Sequence, residues 1–247
     1  LSQIILLSIL VSWLASFQYM PFGLEAKSPD RMDHSLDELL SLRHIGNNFV
    51  LAALTSGCLN FAMIGYCGLT AIFAGVRSID VVDHPLFLSS SPSDFWSRRW
   101  NRLTHVVLKR GVYLPVRKSS NKIAGAIAAF LASGMMHEWV WLGLFYFSSH
   151  ERNMEQCSSC YSAIVGKQMV FFGWNGLLVM VEFWVSHWTI FQWIKGNVPS
   201  PIVTMLVVLT ALPLGHLFTG DLLLGGYFTN IQIAFPMLIC SSTSTQK

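Results

Sequence analysis

The chain contains 247 residues, of which 53% are hydrophobic and 12% are charged, and its formal net charge is +3. Soluble domains carry about 25% charged residues, so this composition excludes an ordinary water-soluble fold and indicates a surface that faces lipid. The small positive charge is interleaved with apolar segments, which gives no reason to expect a nucleic-acid partner.

Apolar segments of membrane-spanning length recur along the chain. A hydrocarbon core about 30 Å thick requires about 20 apolar residues of helix. Six segments meet this criterion, namely residues 2–22, 48–76, 123–147, 163–191, 202–218 and 222–240. No fixed-period repeat or flexible linker divides them. We therefore predict an all-α, polytopic transmembrane protein with about six spans and a single domain over residues 1–247.

The N-terminal part of the chain predicts a span followed by a polar connector. The first apolar segment lacks the basic flank and the small-residue cleavage site of a signal peptide, and the initial Leu1 predicts that the chain is truncated at its N-terminus. Residues 25–44 are too polar for lipid, so a short amphipathic stretch in water is expected there.

Residues 89–122 form a strongly basic segment between two predicted spans. No acidic residue occurs in residues 95–137, whereas half of the chain's 16 Lys and Arg do: Arg98, Arg99, Arg102, Lys109, Arg110, Arg117, Lys118 and Lys122. Such an excess favours the cytoplasmic side of the membrane. The segment that contains Cys157 and Cys160 would then lie in the opposite compartment, where a disulfide is possible.

The basic segment also carries the signals of an amphipathic helix over residues 92–110. Ser91 can cap the helix and Pro92 suits its first position. Four residues at helical spacing form one apolar face: Trp96, Trp100, Leu103 and Val107. That face is expected to pack against other helices or in the membrane interface.

A histidine lies in the middle of the predicted span over residues 123–147. His137 is near the bilayer midplane, where ionisable groups usually line a cavity or pathway. A neutral imidazole can take a proton from an alcohol near neutral pH, although a hydrogen bond between helices is the alternative role. Glu138 points about 100° away from His137 on the same helix, so the two side chains require separate partners.

Three motifs in this central region occur together in one order. They are D-F-W-S-R-R-W-N at residues 94–101, V-Y-L-P-V-R at residues 112–117 and S-G-M-M-H-E at residues 133–138. The ordered set resembles the wax synthase branch of the membrane-bound O-acyltransferase family over about residues 80–141. The resemblance implies an active site formed by Asn101 and His137, with acyl-coenzyme A as co-substrate, no further cofactor and no metal. It also implies a multi-pass protein of the endoplasmic reticulum.

The chemistry expected from this resemblance is transfer of an acyl group to a lipophilic alcohol. His137 would remove the hydroxyl proton as the oxygen attacks the thioester, and Asn101 would donate to the oxyanion or orient a substrate. Arg98 and Arg99 are candidates to bind the phosphates of coenzyme A, although basic residues also anchor to anionic lipid headgroups.

Alternatives remain at the level of acceptor and of function. A long-chain alcohol is the first expected acceptor, with a sterol, a terpenoid or diacylglycerol as alternatives. A proton-coupled transporter or channel would instead use His137, Glu138 and Glu182 as a relay, and a non-catalytic membrane partner would use His137 for packing only. The role of Glu182 is open on the sequence alone.

Overall fold

The computed structural model describes residues 2–25, 27–29, 31–75, 81–150 and 164–231. Every regular element within these ranges is a helix, so the predicted all-α fold is confirmed for that part of the protein. The segment with Cys157 and Cys160, and the end of the sixth predicted span after residue 231, lie outside the described residues. The single domain and the cytoplasmic side of the basic segment stay predictions.

The first helix, α1 (Ser2–Ala15), packs against the long helix α3 (Leu42–Ala74), with the short α2 (Leu36–Leu39) between them in the chain. One apolar cluster contains buried residues of both α1 and α3: Val11, Leu14, Leu51 and Leu54. With 14 residues, α1 is about 21 Å long and shorter than a bilayer core. The helix ends early because Gln18 and Tyr19 adopt left-handed backbone angles, with φ of 53° and 62°. The predicted span over residues 2–22 is therefore wrong in length.

The basic segment folds into several short helices. They are α4 (Pro85–Leu88), α5 (Pro92–Asp94), a π-helical turn (Phe95–Arg99), α6 (Arg102–Leu108), a second π-helical turn (Lys109–Tyr113) and α7 (Leu114–Ser119). The prediction of one continuous helix over residues 92–110 is wrong. The break lies at Asn101, whose backbone is extended, with φ of −153° and ψ of 91°. Its side chain caps α6 instead of continuing the helix.

The predicted apolar face divides at this break. Trp96 and Trp100 pack against a buried cluster that contains Phe95. Leu103 and Val107, which follow the break, are 54% and 60% exposed. Because the extended backbone at the break changes the direction of the chain, the helical spacing no longer brings the four side chains to one side.

Two antiparallel partners, α8 (Lys122–His150) and α9 (Lys167–Val185), form the centre of the fold. Small residues allow them to approach closely: a Cβ on Gly134 would lie 2.9 Å from the sulfur of Met169, and one on Gly176 would lie 3.1 Å from Phe130. Replacement of either glycine by a larger residue would require the side chain of Met169 or Phe130 to move or the two helices to separate. This close pair carries one wall of the cavity that contains His137.

The chain continues through α10 (Thr189–Asn197), α11 (Ser200–Ala211), a 3-10 turn (Leu212–Leu214), α12 (His216–Leu224) and α13 (Tyr227–Ile231). Pro213 lies in the turn, and the helices on either side of it are bent by 61°. A proline lacks the N–H that a continuous helix requires. The bent pair consists of Ser200–Leu214 and His216–Leu224. Because α12 runs through residues 218–222, the predicted boundary between two spans there is wrong.

In the part of the chain that the structure describes, fewer helices are long and apolar enough to span a membrane than the sequence predicts. Three described helical segments are long and apolar enough: Leu42–Ala74, Lys122–Leu144 and Lys167–Val185. The bent pair, Ser200–Leu214 with His216–Leu224, becomes a fourth if it is counted as one span. The expectation of about six spans is not confirmed in the described part of the chain.

Candidate active site

A cavity of about 690 Å³ lies between the basic segment and the helix pair α8 and α9. Asn101 enters its lining from the basic segment and His137 from α8, while Phe172 and Val179 contribute from α9. The two residues that the sequence predicts as catalytic are 36 positions apart in the chain, and the fold brings both to the same cavity. Their catalytic roles stay a prediction at this point.

The hydrogen bonding of His137 leaves one ring nitrogen unprotonated. Its Nδ1 lies 2.7 Å from the carbonyl oxygen of Ser133, one turn earlier in α8. A carbonyl can only accept, so Nδ1 carries the proton and, in the neutral ring, Nε2 has a lone pair. Phe172 stacks on the imidazole with ring centroids 4.5 Å apart, and Phe218 meets it edge-on at 5.5 Å. The aromatic rings fix the ring plane, and Nε2 can accept a proton.

The side chain of Asn101 is oriented by its role as a helix cap. Its Oδ1 accepts a hydrogen bond of 3.0 Å from the backbone N–H of Thr104. Because a backbone N–H requires an acceptor, this contact also assigns the two ends of the amide. The Nδ2 group has no hydrogen-bond partner within the described part of the chain, and Asn101 lines the cavity. Its two N–H groups can therefore donate to a ligand oxygen.

Asp94 holds the basic segment in shape. Its carboxylate is 2% exposed and lies 2.8 Å from the Nε atoms of both Arg98 and Arg99. The N–H and hydroxyl of Ser90 also donate to it. Burial by itself would raise the pKa of Asp94, but the bonds from Arg99 and Ser90 and the two guanidinium charges bring the pKa below its ordinary value. The carboxylate thus stays ionised near neutral pH.

The two arginines that the sequence predicts for phosphate binding differ in their surroundings. The side chain of Arg98 is 72% exposed and lines the cavity, together with Lys109. Arg99 is 21% exposed, and its guanidinium bridges Asp94 to Asp83, with an Nη1 to Oδ2 distance of 3.2 Å. The geometry favours Arg98 for contact with a ligand, and it gives Arg99 a role in positioning the segment.

Glu182 connects α9 to the start of the basic segment. Its Oε2 accepts the backbone N–H of Ser93 at 2.7 Å, and its Oε1 accepts the Ser93 hydroxyl at 2.9 Å. Ser93 itself lines the cavity. The role that the sequence left open is therefore a bond that joins two walls of the cavity.

Glu138 has a separate partner, as its direction on the helix predicts. Its Oε1 accepts the backbone N–H groups of Gly166, Gln168 and Met169 at 2.9, 2.7 and 3.3 Å. These groups form the N-terminus of α9, which favours a negative charge. Glu138 therefore fixes α9 against α8, and neither Glu138 nor Glu182 is among the residues that line the cavity. A relay through both carboxylates has no support in this arrangement.

Sequence reasoning missed two further features of this region. His105 of α6 lines the same cavity, and burial together with the charge of Lys109 lowers its pKa. Lys167 and Asp221 form an ion pair that is buried on both sides. His105 lies between the first two motifs and belongs to neither, and the ion pair joins residues 54 positions apart. Only the tertiary fold reveals these contacts.

Comparisons with known proteins agree with the predicted family resemblance. Residues 81–172 match the membrane bound O-acyl transferase family. Probable long-chain-alcohol O-fatty-acyltransferase 1 of Arabidopsis thaliana is 32% identical over 141 residues, which cover 54% of this chain and 36% of that protein. Acyl-CoA–sterol O-acyltransferase 1 of the same plant is 29% identical, covering 58% of this chain and 41% of that protein.

A third relative comes from another plant, and the coverage is partial throughout. The long-chain-alcohol O-fatty-acyltransferase of Simmondsia chinensis is 40% identical over 60 residues, or 21% of this chain and 17% of that protein. The chain thus spans well under half the length of these relatives. No solved structure matches. The predicted resemblance to the membrane-bound O-acyltransferase family is confirmed, and the matched region contains both Asn101 and His137.

Proposed function

We propose that this protein is an acyl-coenzyme A-dependent O-acyltransferase that esterifies a long-chain alcohol to a wax ester within the membrane, in the endoplasmic reticulum. One observation carries the proposal. Asn101 and His137 line the same cavity, and hydrogen bonds orient each of them so that a donor group on Asn101 and an acceptor nitrogen on His137 are left for substrates. The similarity of residues 81–172 to the acyltransferase family supports it.

The proposed reaction needs no covalent intermediate on the protein. Nε2 of His137 takes the proton of the alcohol while the alcohol oxygen attacks the thioester carbonyl carbon. The carbonyl oxygen becomes an oxyanion, to which the Nδ2 group of Asn101 donates. When the C–S bond breaks, the imidazolium returns its proton to the departing coenzyme A thiolate. The products are the ester and free coenzyme A, and His137 is regenerated.

The exposed cations at the cavity suit the polar part of the donor. Arg98 and Lys109 both line the cavity, and a guanidinium pairs well with phosphate oxygens. The proposal assigns Arg98 to the phosphates of coenzyme A and keeps Arg99 in its pairs with Asp94 and Asp83.

A sterol is the second candidate acceptor. The sterol acyltransferase relative aligns over 58% of this chain, against 54% for the first long-chain-alcohol relative. Both kinds of relative are therefore similar to more than half of this chain. The two acceptors share the hydroxyl that His137 would deprotonate, and they differ in the shape of the apolar body.

The test is a direct assay of neutral-ester formation. The complete protein is expressed in membranes without such activity, given labelled acyl-coenzyme A with hexadecanol, a sterol or diacylglycerol, and the neutral lipids are separated by chromatography. We expect a wax ester from hexadecanol and its loss in His137→Ala. His187→Ala is the matched control, because His187 is exposed and does not line the cavity.

Three outcomes separate the alternatives. Ester formed from the sterol in preference to hexadecanol would replace the acceptor while keeping the reaction. Full activity of His137→Ala would contradict the proposed base. Proton flux in vesicles without any ester product would favour a transporter over an acyltransferase.

A further inference from the structure

Three histidines and a glutamate meet at a distance from the candidate active site. Glu25 and His34 come from the connector before α3, His44 from the first turn of α3 and His216 from the first residue of α12. The ring centroids of His34, His44 and His216 lie 4.8 to 5.5 Å from one another. A carboxylate oxygen of Glu25 lies 2.9 Å from Nδ1 of His44. None of the four lines the cavity of the candidate active site.

The cluster is shielded from solvent. The side chains of His34 and His44 are 3% and 2% exposed, and that of Glu25 is 10% exposed. Buried ionisable groups require partners, because their transfer out of water is otherwise unfavourable. Four such groups at one place therefore require an explanation beyond apolar packing.

The hydrogen-bond partners of His44 point to a cation between its ring and Glu25. Both ring nitrogens of His44 face acceptors: Nδ1 faces the Glu25 carboxylate and Nε2 faces the carbonyl oxygen of Pro213 at 3.1 Å. A neutral imidazole has one N–H only, so one of these contacts sets a lone pair against an oxygen. A proton or a metal ion between Nδ1 and the carboxylate removes that conflict.

We infer that Glu25, His34 and His44 bind a divalent metal ion of the zinc class, with His216 packed over the bound ion. The three ligand atoms already lie within 4.8 Å of one another. Tetrahedral zinc with bonds near 2.0–2.1 Å requires ligand atoms about 3.4 Å apart, so small side-chain rotations complete the site. Two imidazoles and one carboxylate form a ligand set that zinc uses, with a fourth position for water.

The contacts around the ligands favour a metal over a single proton. With the metal on Nδ1 of His44, its Nε2–H donates to the Pro213 carbonyl, which is the backbone contact that orients many metal-bound histidines. A proton on His44 would satisfy Glu25 and Pro213 but would place a positive ring beside His34, whose Nε2 lies 3.4 Å from the Ser28 carbonyl oxygen and whose Nδ1 lies 3.8 Å from Oε2 of Glu38. A metal binds all three groups at once. The family resemblance implies no metal, and the site at Glu25, His34 and His44 departs from that expectation.

The bound ion would fasten separate parts of the fold. Its ligands join the connector to the start of α3, and His44 and His216 both contact the carbonyl of Pro213 at the bend before α12. Phe218, two residues beyond His216, lies edge-on to the ring of His137. The site would therefore stabilise the bend from which α12 contacts the candidate active site, and it takes no part in the proposed reaction.

The test measures metal content and thermal stability on the complete chain in detergent or nanodiscs. After purification with zinc and removal of loose metal, elemental analysis should find stoichiometric zinc in the wild type and its loss in the double variant His34→Ala, His44→Ala. The matched control is the double variant His105→Ala, His187→Ala, which removes two histidines elsewhere and should retain the metal. Chelation should lower the Tm of the wild type and leave that of the His34, His44 variant unchanged.

A second measurement covers the case in which the double variant does not fold. Co²⁺ added to the chelated wild type should give the intense d–d absorption of a tetrahedral site, and Glu25→Gln should weaken it while the protein stays folded. Zinc absent from the folded wild type, or metal content equal in wild type and the His34, His44 variant, would overturn the inference. Either result would leave the acyltransferase proposal untouched, because ester formation is assayed separately.

Discussion

The cavity and the histidine cluster use the same side chain in opposite ways. His137 binds one carbonyl within its own helix through Nδ1, and the residue lines a cavity of about 690 Å³. In the cluster, both nitrogens of His44 and both of His216 lie against oxygen acceptors. A place in the wall of a large cavity, and not burial, distinguishes a candidate base from a histidine that joins parts of the fold.

The largest expected effect comes from removal of the candidate base. His137→Gln retains a polar side chain but provides no basic nitrogen, so ester formation should fall by about 10³-fold. The rate per folded molecule is measured with saturating acyl-coenzyme A and alcohol, and folding is checked by Tm. A His137→Gln variant that keeps more than a tenth of the wild-type rate would show that His137 is not the general base.

Two substitutions of Asn101 separate its role as a helix cap from its proposed role as an oxyanion donor. Asn101→Asp keeps an oxygen that accepts the Thr104 N–H but loses the donor, whereas Asn101→Ala loses both. We expect activity to fall by about 10²-fold in either variant, since one oxyanion donor is lost. Stability should fall by about 1 kcal/mol only in Asn101→Ala, because the cap is lost there. Equal activity in Asn101→Asp and wild type would exclude the donor role.

His44→Ala should show the reverse pattern to His137→Gln. Without the imidazole, the Glu25 carboxylate and the Pro213 carbonyl lose a buried partner, which destabilises the fold by about 1–3 kcal/mol. Thermal unfolding measures this loss, and the folded fraction should retain its ester-forming rate. Lost turnover with an unchanged Tm would place the cluster in the reaction and would invalidate the comparison.

Glu182 and Ser93 provide a smaller test of how the cavity walls are joined. Glu182→Gln weakens two hydrogen bonds to Ser93 and should reduce stability by about 1 kcal/mol. If the pair acts by positioning, Ser93→Ala combined with Glu182→Gln should have less effect than the sum of the single variants. Additive losses of stability and rate would show that the two residues act independently.

The smallest expected effect is the pH dependence of the Asp94 contribution to stability between pH 7 and pH 5. Its pKa is lowered in the folded protein, so its contribution to stability is complete above the pKa of the unfolded chain, about 3.9, and is lost as the pH falls through the lower folded value. The difference in Tm between wild type and Asp94→Asn should therefore be constant from pH 7 to about pH 5 and shrink only in stronger acid. A difference that shrinks between pH 7 and pH 6 would contradict the ion pairs with Arg98 and Arg99.

The sequence predicted some of these contacts and not others for physical reasons. The separate partners of His137 and Glu138 follow from the 100° step between neighbours on a helix, and the structure confirms them. The break at Asn101 was not predicted, because Trp96 and Leu103 keep helical spacing across a residue that caps a new helix. Local spacing cannot show where a side chain bonds its own backbone in place of the next turn.

The sequence by itself determined that the protein has a lipid-facing surface and an all-helical fold. It also determined the family resemblance that selects Asn101 and His137. Composition and short motifs can be read from the amino-acid sequence alone, so no folded structure is needed to detect them. Tertiary structure decided which of Arg98 and Arg99 lines the cavity, what Glu182 binds, and that Glu25, His34, His44 and His216 meet. Those contacts join residues that are up to 182 positions apart, as His34 and His216 are, and only the packing of helices fixes distances between them.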